Sequence, residues 1–331
     1  AAFLTACIGF FCIAVEPLFP DLVKWPAALQ LPVSDWIGTA LTGFFEAIKP
    51  AARVLSFLME FPMQWANSLL VATPWPITIG LVTALGWHIG GWRMAALGLI
   101  GLSRVLASGY WVESMNTLAL VTVSVPLALF TGGAIGILAY EYGRVRKVVL
   151  GILDVMQTVP TFAYLTPLLL LFGFGPVVGL IASAIYAAPP MARNVLLGLE
   201  RVDEDIKEAA IMSGGTRLQQ LFLVELPSAM QQIMIGVNQC LMAALSMVII
   251  AAVIGGFDDI GWEVLLTMRK ALFGQAFLAG LVVVIFAVII DRYSGALATE
   301  RRRFPDQPAI ALVAAGGVAA LFVGTSDPVA F

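Results

Sequence analysis

Charge is what this sequence has least of. Asp, Glu, Lys and Arg make up 12% of its 331 residues, about half the share of an ordinary soluble domain. That scarcity excludes the ordinary soluble class. The 18 Lys and Arg stand against 21 Asp and Glu for a net charge of −3, so the basic surplus needed to bind a nucleic-acid backbone is missing. A single histidine, His88, cannot build a multi-histidine metal site, offers little to acid–base catalysis, and belongs to no H-E-x-x-H. The three cysteines, Cys7, Cys12 and Cys240, all lie in apolar runs, with spacings that suit neither a disulfide framework nor a zinc cluster. They read as small packing residues. No G-x-x-x-x-G-K-[ST] loop occurs, so the chain has nothing with which to cradle ATP phosphates. Internal repeats and low-complexity tracts are absent as well.

What is there is apolar. Hydrophobic residues account for 60% and the mean hydropathy is +0.95. Runs of about 20 such residues cross a hydrocarbon core of roughly 30 Å as helices. Nine are expected, over 1–15, 74–91, 93–110, 116–139, 149–172, 176–192, 233–256, 273–290 and 308–324. The first begins at Ala1 without an initiator Met and reads as a helix whose start lies upstream; a cleaved signal peptide would need a basic leader that this end lacks. The ninth is rich in Ala and Gly.

Basic residues are retained on the cytoplasmic side of short loops. Placing 91–93, 140–148, 193–232 and 291–307 inside gathers twelve of the 18: Arg93, Arg144, Arg146, Lys147, Arg193, Arg201, Lys207, Arg217, Arg292, Arg301, Arg302 and Arg303. Lys24, Lys49, Arg53, Arg269 and Lys270 fall outside, and Arg104 snorkels from a span. The N-terminus is then inside and the C-terminus outside. Between the first two spans, Ile37, Leu41, Phe44, Ile48, Leu55 and Met59 recur at helical spacing. They predict an outer amphipathic helix in the interface, bent at Pro50 and flanked by Trp36 and Trp65. It either braces the bundle or docks an outer partner. Three regions result: 1–73 with the first span and this segment, 74–292 as the main membrane domain, and 293–331 as a tail with an extra span.

The long inside loop 193–232 carries the most specific signals. Asp205 with Glu208 makes a capping-box pattern, and Gly214-Gly215 is a natural helix end. Thr216 with Gln219 repeats the box and opens a second helix, Arg217 to Leu226, stopped by Pro227. The prediction is a helix-turn-helix elbow outside the bilayer. Met212-Ser213-Gly214-Gly215-Thr216 looks like an ATPase signature, but it is a coincidence of the turn.

Glu208-Ala209-Ala210, then Gly214, then Val224-x-Leu226-Pro227 resembles the EAA signature of binding-protein-dependent ABC importer permeases, with Val224 where isoleucine is commoner. Small alanines admit a partner's groove, the glycine lets the chain reverse, and the acid offers a handle for a basic group. The resemblance narrows over 65–292. WVESMNTLAL (111–120), LDVMQTVPTF (153–162), FGFG (172–175), NQCLMAALSM (238–247), IGGFDDIG (254–261) and Asp291-Arg292 look like the permeases of glycine betaine/proline betaine importers, which include choline, carnitine and trimethylamine N-oxide systems. Asp258-Asp259 departs from the shorter glycine-rich turn usual there. The resemblance implies an all-α integral membrane protein, a type I ABC importer transmembrane domain of about nine helices with an outer amphipathic helix, in the bacterial cytoplasmic (inner) membrane. It also implies a permease homodimer, an extracytoplasmic substrate-binding protein, and a separate ATPase subunit that holds ATP and Mg and docks on the elbow through Glu208, Ala209, Ala210, Gly214, Val224, Leu226 and Pro227. The chain itself is then neither an enzyme nor a cofactor carrier.

Asp154, Gln157, Thr158, Asn238 and Gln239 are polar groups in or at the ends of apolar helices, where they are expensive unless they face partners or water. They either line a translocation path or tie helices together. Pro160, Pro167, Pro189 and Pro190 are expected to break helices locally. Trp111, Phe162 and Tyr164 have the chemistry to hold a quaternary ammonium, although the selective cage is expected in the receptor. Two other readings remain at this point: an ABC permease for an amino acid such as methionine, and a secondary transporter driven by an ion gradient.

Overall fold

The computed structural model describes residues 9–11, 33–255 and 257–298. The expected spans 1–15 and 308–324, the basic cluster 301–303, Cys7, Cys12 and all but the first few residues of the tail lie outside the described residues. The chain divides into compact units Ala1–Pro50 and Ala51–Phe331. Among the described residues the regular structure is helical: α1 Val33–Ala72, α2 Trp75–Gly90, α3 Trp92–Ala107, α4 Trp111–Glu141, α5 Gly143–Thr158, α6 Thr161–Phe172, α7 Pro176–Glu200, α8 Glu204–Met212, α9 Arg217–Gln219, α10 Leu226–Ser228, α11 Met230–Gly255, α12 Ile260–Arg269 and α13 Phe273–Ala298. A single π turn, Gln220–Glu225, separates α9 from α10.

Four of these helices, α4, α7, α11 and α13, are each long and apolar enough to cross a membrane, and two bent pairs bring the number up to six if each pair is one span. The expected span 149–172 is one such pair: α5 and α6 meet at 101°. Pro160 sits at the break with no N–H to donate, and Val159 before it is extended, with ψ 130°. Gly38–Ala72 and α2 form the other, bent by 102° across Thr73 and Pro74, where the expected first region ends. The helices α2 and α3 have 16 residues each, about 24 Å at 1.5 Å per residue. They fold back on each other at Gly91 rather than forming two full-length spans.

Helix α1 runs unbroken through Pro50 and Pro62. Within its Ala51–Ala72 part, the side turned to protein is Ala52, Met63 and Ala66. Of the expected stripe, Met59 is half-buried and packs against the core, while Leu55 is exposed. Small side chains allow backbones to approach, which in a membrane matters more than apolar character.

At the centre lies α7, packed chiefly against α11 and α4. Its contact with α4 is made through glycines at 132 and 136: a Cβ at either would lie 2.5 and 2.6 Å from the carbonyls of Ala188 and Ala192. The interface is therefore backbone on backbone. The prolines at 189 and 190 sit inside α7 without ending it, and Asn194 Nδ2 donates to the Pro190 carbonyl at 2.7 Å. Pro167 likewise lies inside α6. Of the four prolines expected to break helices, only Pro160 marks a break; each of the others costs its helix one backbone bond, to the carbonyls of Ala163, Ile185 and Tyr186, and packing of α6 and α7 against their neighbours carries the helix across the gap. On the far side, Tyr293 of α13 donates to the carbonyls of Val82 (3.0 Å) and Met94 (3.1 Å). That hydroxyl fastens the α2–α3 hairpin to the bundle.

Candidate functional site

The elbow is shorter than expected. Helix α7 continues to Glu200 and α11 begins at Met230, so the segment outside the long helices is 201–229 rather than 193–232. Arg193 and Asn194 read as loop residues because they are polar, yet each has a partner. Arg193 pairs with Asp154 of α5. Asn194 donates to Gln239 (2.9 Å) and accepts from Gln232 (2.6 Å), both on α11.

The first arm, α8, is capped by Asp203 and not by Asp205, and no side-chain capping bond forms. The chain enters the helix two residues earlier than the 205/208 pattern implies, so that both residues stand inside it, exposed. Glu204 and Asp205 then occupy the first turn, where the helix dipole favours acids. Lys207 reaches Glu204 at 2.9 Å, and that hydrogen bond raises its pKa above the ordinary lysine value. After Ser213 the chain reverses at Gly214, whose φ is +74°; this left-handed conformation needs a glycine.

The second arm starts as predicted. Thr216 N–H donates to Gln219 Oε1 at 2.8 Å while Gln219 N–H returns a bond to Thr216 Oγ1 at 3.4 Å. It does not stop at Pro227. The backbone widens into the π turn, Leu226 N–H bonds Leu221 O five residues back, and Pro227 falls in the first turn of α10, where its missing N–H is harmless. A π turn of this kind is the usual consequence of fitting one extra residue into a helix.

Of the seven signature residues, Ala209, Ala210 and Val224 line one shallow hollow between the arms, together with Asp205, Ile206 and Ser213. Glu208, Gly214 and Pro227 are exposed beside it and Leu226 is half-buried. Around them Ile211, Leu218, Phe222 and Leu223 are exposed, and Met212 is 88% so. An apolar surface rimmed by acids projects from the bundle.

The pattern gave no sign of how the elbow is fastened. The Arg217 guanidinium forks onto two carboxylates: Nε lies 3.1 Å from Glu141 Oε2, a second nitrogen bonds Glu141 Oε1, and Glu225 takes two further bonds, one at 3.3 Å. Glu225 is 1% exposed. Arg217 also lies 5.6 Å from the centre of the Tyr140 ring, and Lys207 of the first arm lies 5.8 Å from the same ring. The hydrogen bonds it donates to Glu141, then to Glu225, hold the guanidinium still more firmly protonated than an ordinary arginine. Arg217 and Glu141 lie 76 positions apart in the chain, and only their opposite charges hinted at the contact.

The five polar candidates for a path separate into two sets. Asp154, Gln157 and Thr158 are exposed on α5, next to its break with α6. Beside that break Tyr164 bonds the Met156 carbonyl and stacks edge-on against Tyr186 at 5.9 Å. Gln239 faces α7 through Asn194. Asn238 faces α13, donating to Asp291 at 3.2 Å and accepting from Ser294 at 2.6 Å. Adjacent in sequence, these two residues tie α11 to different helices.

Between α11 and α12, Asp259 is wholly buried. Its Oδ1 caps α12 by accepting from Trp262 N–H at 2.9 Å, and its Oδ2 has no hydrogen-bond partner among the described residues. Asn116 and Thr117 of α4 hold this corner through Asp258 O (2.7 Å) and Ile260 N–H (3.1 Å). Burial pushes the Asp259 carboxyl up to about 7, against the lowering effect of its hydrogen bonds.

Comparison with known proteins follows the same lines. The family described as binding-protein-dependent transport system inner membrane component matches residues 124–303. The glycine betaine/proline betaine transport system permease protein ProW of Escherichia coli (strain K12) is 35% identical over 82% of this chain and 77% of its own. The glycine betaine transport system permease protein OpuAB of Bacillus subtilis (strain 168) is 37% identical over 81% and 92%. The trimethylamine N-oxide transport system permease protein TmoV of Ruegeria pomeroyi is 34% identical over 85% of this chain but 43% of its own. An all-helical bundle with an exposed elbow, matched in this way over most of its length, belongs to the inner-membrane permease components of binding-protein-dependent transport systems, and is not their ATPase.

Proposed function

We propose that the chain is the membrane-spanning subunit of an ATP-driven importer for quaternary ammonium or methylated-amine solutes: glycine betaine, proline betaine, choline, carnitine or trimethylamine N-oxide. The observation that carries this reading is identity of 34–37% over more than four fifths of the chain to permeases named for betaine and trimethylamine N-oxide transport. A binding protein delivers the solute outside. Inside, an ATPase subunit receives the elbow's apolar surface and acidic rim, with Glu208 as the charged handle and Ala209 and Ala210 admitting close approach. Two copies of the chain form the pathway. When the ATPases close on ATP, the two elbows are drawn together and the route opens outward; hydrolysis returns it inward. Because α7 and α11 run directly into the elbow, they receive its displacement first.

Along the route, Gln157 and Thr158 fit a polar lining beside the α5–α6 break, and Asp154 borders it while paired to Arg193 of α7. Asn238 and Gln239, whose bonds go to other helices, fit ties that hold the bundle. The test is uptake into vesicles containing this permease with the ATPase and binding protein encoded beside it. ATP-dependent accumulation of at least one methylated amine, without methionine uptake, is expected. Accumulation of methionine alone, or gradient-driven uptake that ignores ATP, would overturn the assignment.

A further inference from the structure

The covalent route from the elbow leads to α7 and α11, yet the strongest set of polar contacts leads elsewhere. Arg217 opens the second arm directly after the reversal at Gly214. From there it spans to Glu141, the last residue of α4, while also holding Glu225 within its own arm. Tyr140, one residue earlier on α4, carries Arg217 and Lys207, one cation from each arm, near its ring. Both arms are thus fastened to the same end of the same helix. We infer that Arg217 is a positioning residue acting as a strut, which transmits displacement of the elbow to α4 and through it to the glycine-packed α4–α7 interface. This deepens the proposed coupling role and rests on it.

The geometry favours a strut over a simple surface ion pair. A guanidinium that bonds two carboxylates through a planar fork resists both sliding and rotation, whereas a lysine at the same place would act as a single point charge. One of those carboxylates is buried within the elbow itself and the other terminates α4, so pushing the elbow without moving α4 would break charge-assisted bonds at a partly desolvated site. Two functions are therefore separable. The bonds to Glu225 keep the second arm folded, and the bonds to Glu141 link it to the bundle.

That separation supplies the experiment, done on the complete complex with its ATPase and binding protein. In Glu141→Gln the bonds to Glu225 remain while the link to α4 loses its charge. The expected result is a complex that assembles normally and hydrolyses ATP, but whose solute taken up per ATP hydrolysed falls about five- to tenfold, within the usual span of coupling between sites. Arg217→Lys should reduce the ratio by less. An unchanged ratio in Glu141→Gln overturns the strut.

Should that variant fail to assemble, distances decide. In a chain carrying Cys7→Ala, Cys12→Ala and Cys240→Ala, spin labels are placed at Tyr142→Cys and Met212→Cys, both exposed. Their separation should stay the same with and without ATP, while a Met212→Cys and Val288→Cys pair changes. Equal changes in both pairs would overturn the proposal. Failure of the coupling reading is distinguishable, because Glu208→Arg would then leave the ratio intact as well.

Discussion

Glu225 and Asp259 are two buried carboxyl groups, 1% and 0% exposed, and the molecule accommodates them in opposite ways. Glu225, in the elbow, is given a cation: Arg217 reaches it with two hydrogen bonds. Asp259, in the corner before α12, has Asp258 beside it and only hydrogen-bond donors for company. The first carboxylate is held by charge, which ties it to whatever moves the arginine. The second is held by backbone N–H groups and drifts toward its protonated form, since an unpaired charge in a dry site is expensive. A buried acid in the first setting transmits force, and in the second it responds to pH.

The largest effect that sharpens this contrast concerns Asp259. Its folded pKa of about 7 lies above the ordinary 3.8, so between these values the folded protein holds more protons than the unfolded chain. The contribution of Asp259 to stability is then fully present below about pH 4, is lost as pH rises from there through 7, and levels off above, by on the order of 2–4 kcal/mol. Asp259→Asn removes the titration and retains an oxygen to cap α12. Thermal unfolding in detergent should show the variant equal to the native protein at pH 4 and more stable at pH 8; parallel pH profiles would contradict the burial argument.

Next comes Arg217→Ala, which leaves Glu225 buried without its cation. Removing one partner of a fully buried pair costs about 3–5 kcal/mol; Arg217 is about half exposed, with 46% of its side-chain surface accessible, which reduces the expectation to about 2 kcal/mol. Glu225→Gln in the same background should recover most of the loss. No recovery would mean that the arginine acts on Glu141 alone. Smaller still is Thr216→Ala, which deletes a formed capping box and should cost about 1 kcal/mol. Asp205→Ala should cost less, roughly a few tenths of a kcal/mol, because no box forms there and only the helix dipole favours the acid. Equal losses in these two variants would contradict the cap assignment.

That last pair shows how far the sequence could be read. Thr216 and Gln219 cap as their spacing says, since nothing distant competes with them. The 205/208 pattern failed because α8 begins two residues earlier, and a local pattern cannot rank two overlapping starts. Four long helices were legible from hydropathy, but the 101° break at Pro160 was not, because a hydropathy window counts apolar residues and ignores direction. Arg193 and Asn194 looked like loop residues because polarity was visible and their partners, Asp154, Gln232 and Gln239, were not. The signature residues of the elbow could be recognised as a contiguous motif. The Arg217–Glu141 contact could not, as it depends on the packing of helices far apart in the chain.

The central claim is that this elbow couples the permease to an ATPase, and one comparison tests it most directly. Vesicles holding the complete complex are assayed for glycine betaine uptake and ATP hydrolysis together, with the native permease and with Glu208→Arg. The account predicts ATP-dependent uptake in the first, and in the second a permease that reaches the membrane but loses uptake while the ATPase continues to hydrolyse ATP. Unchanged uptake per ATP in the variant would contradict it.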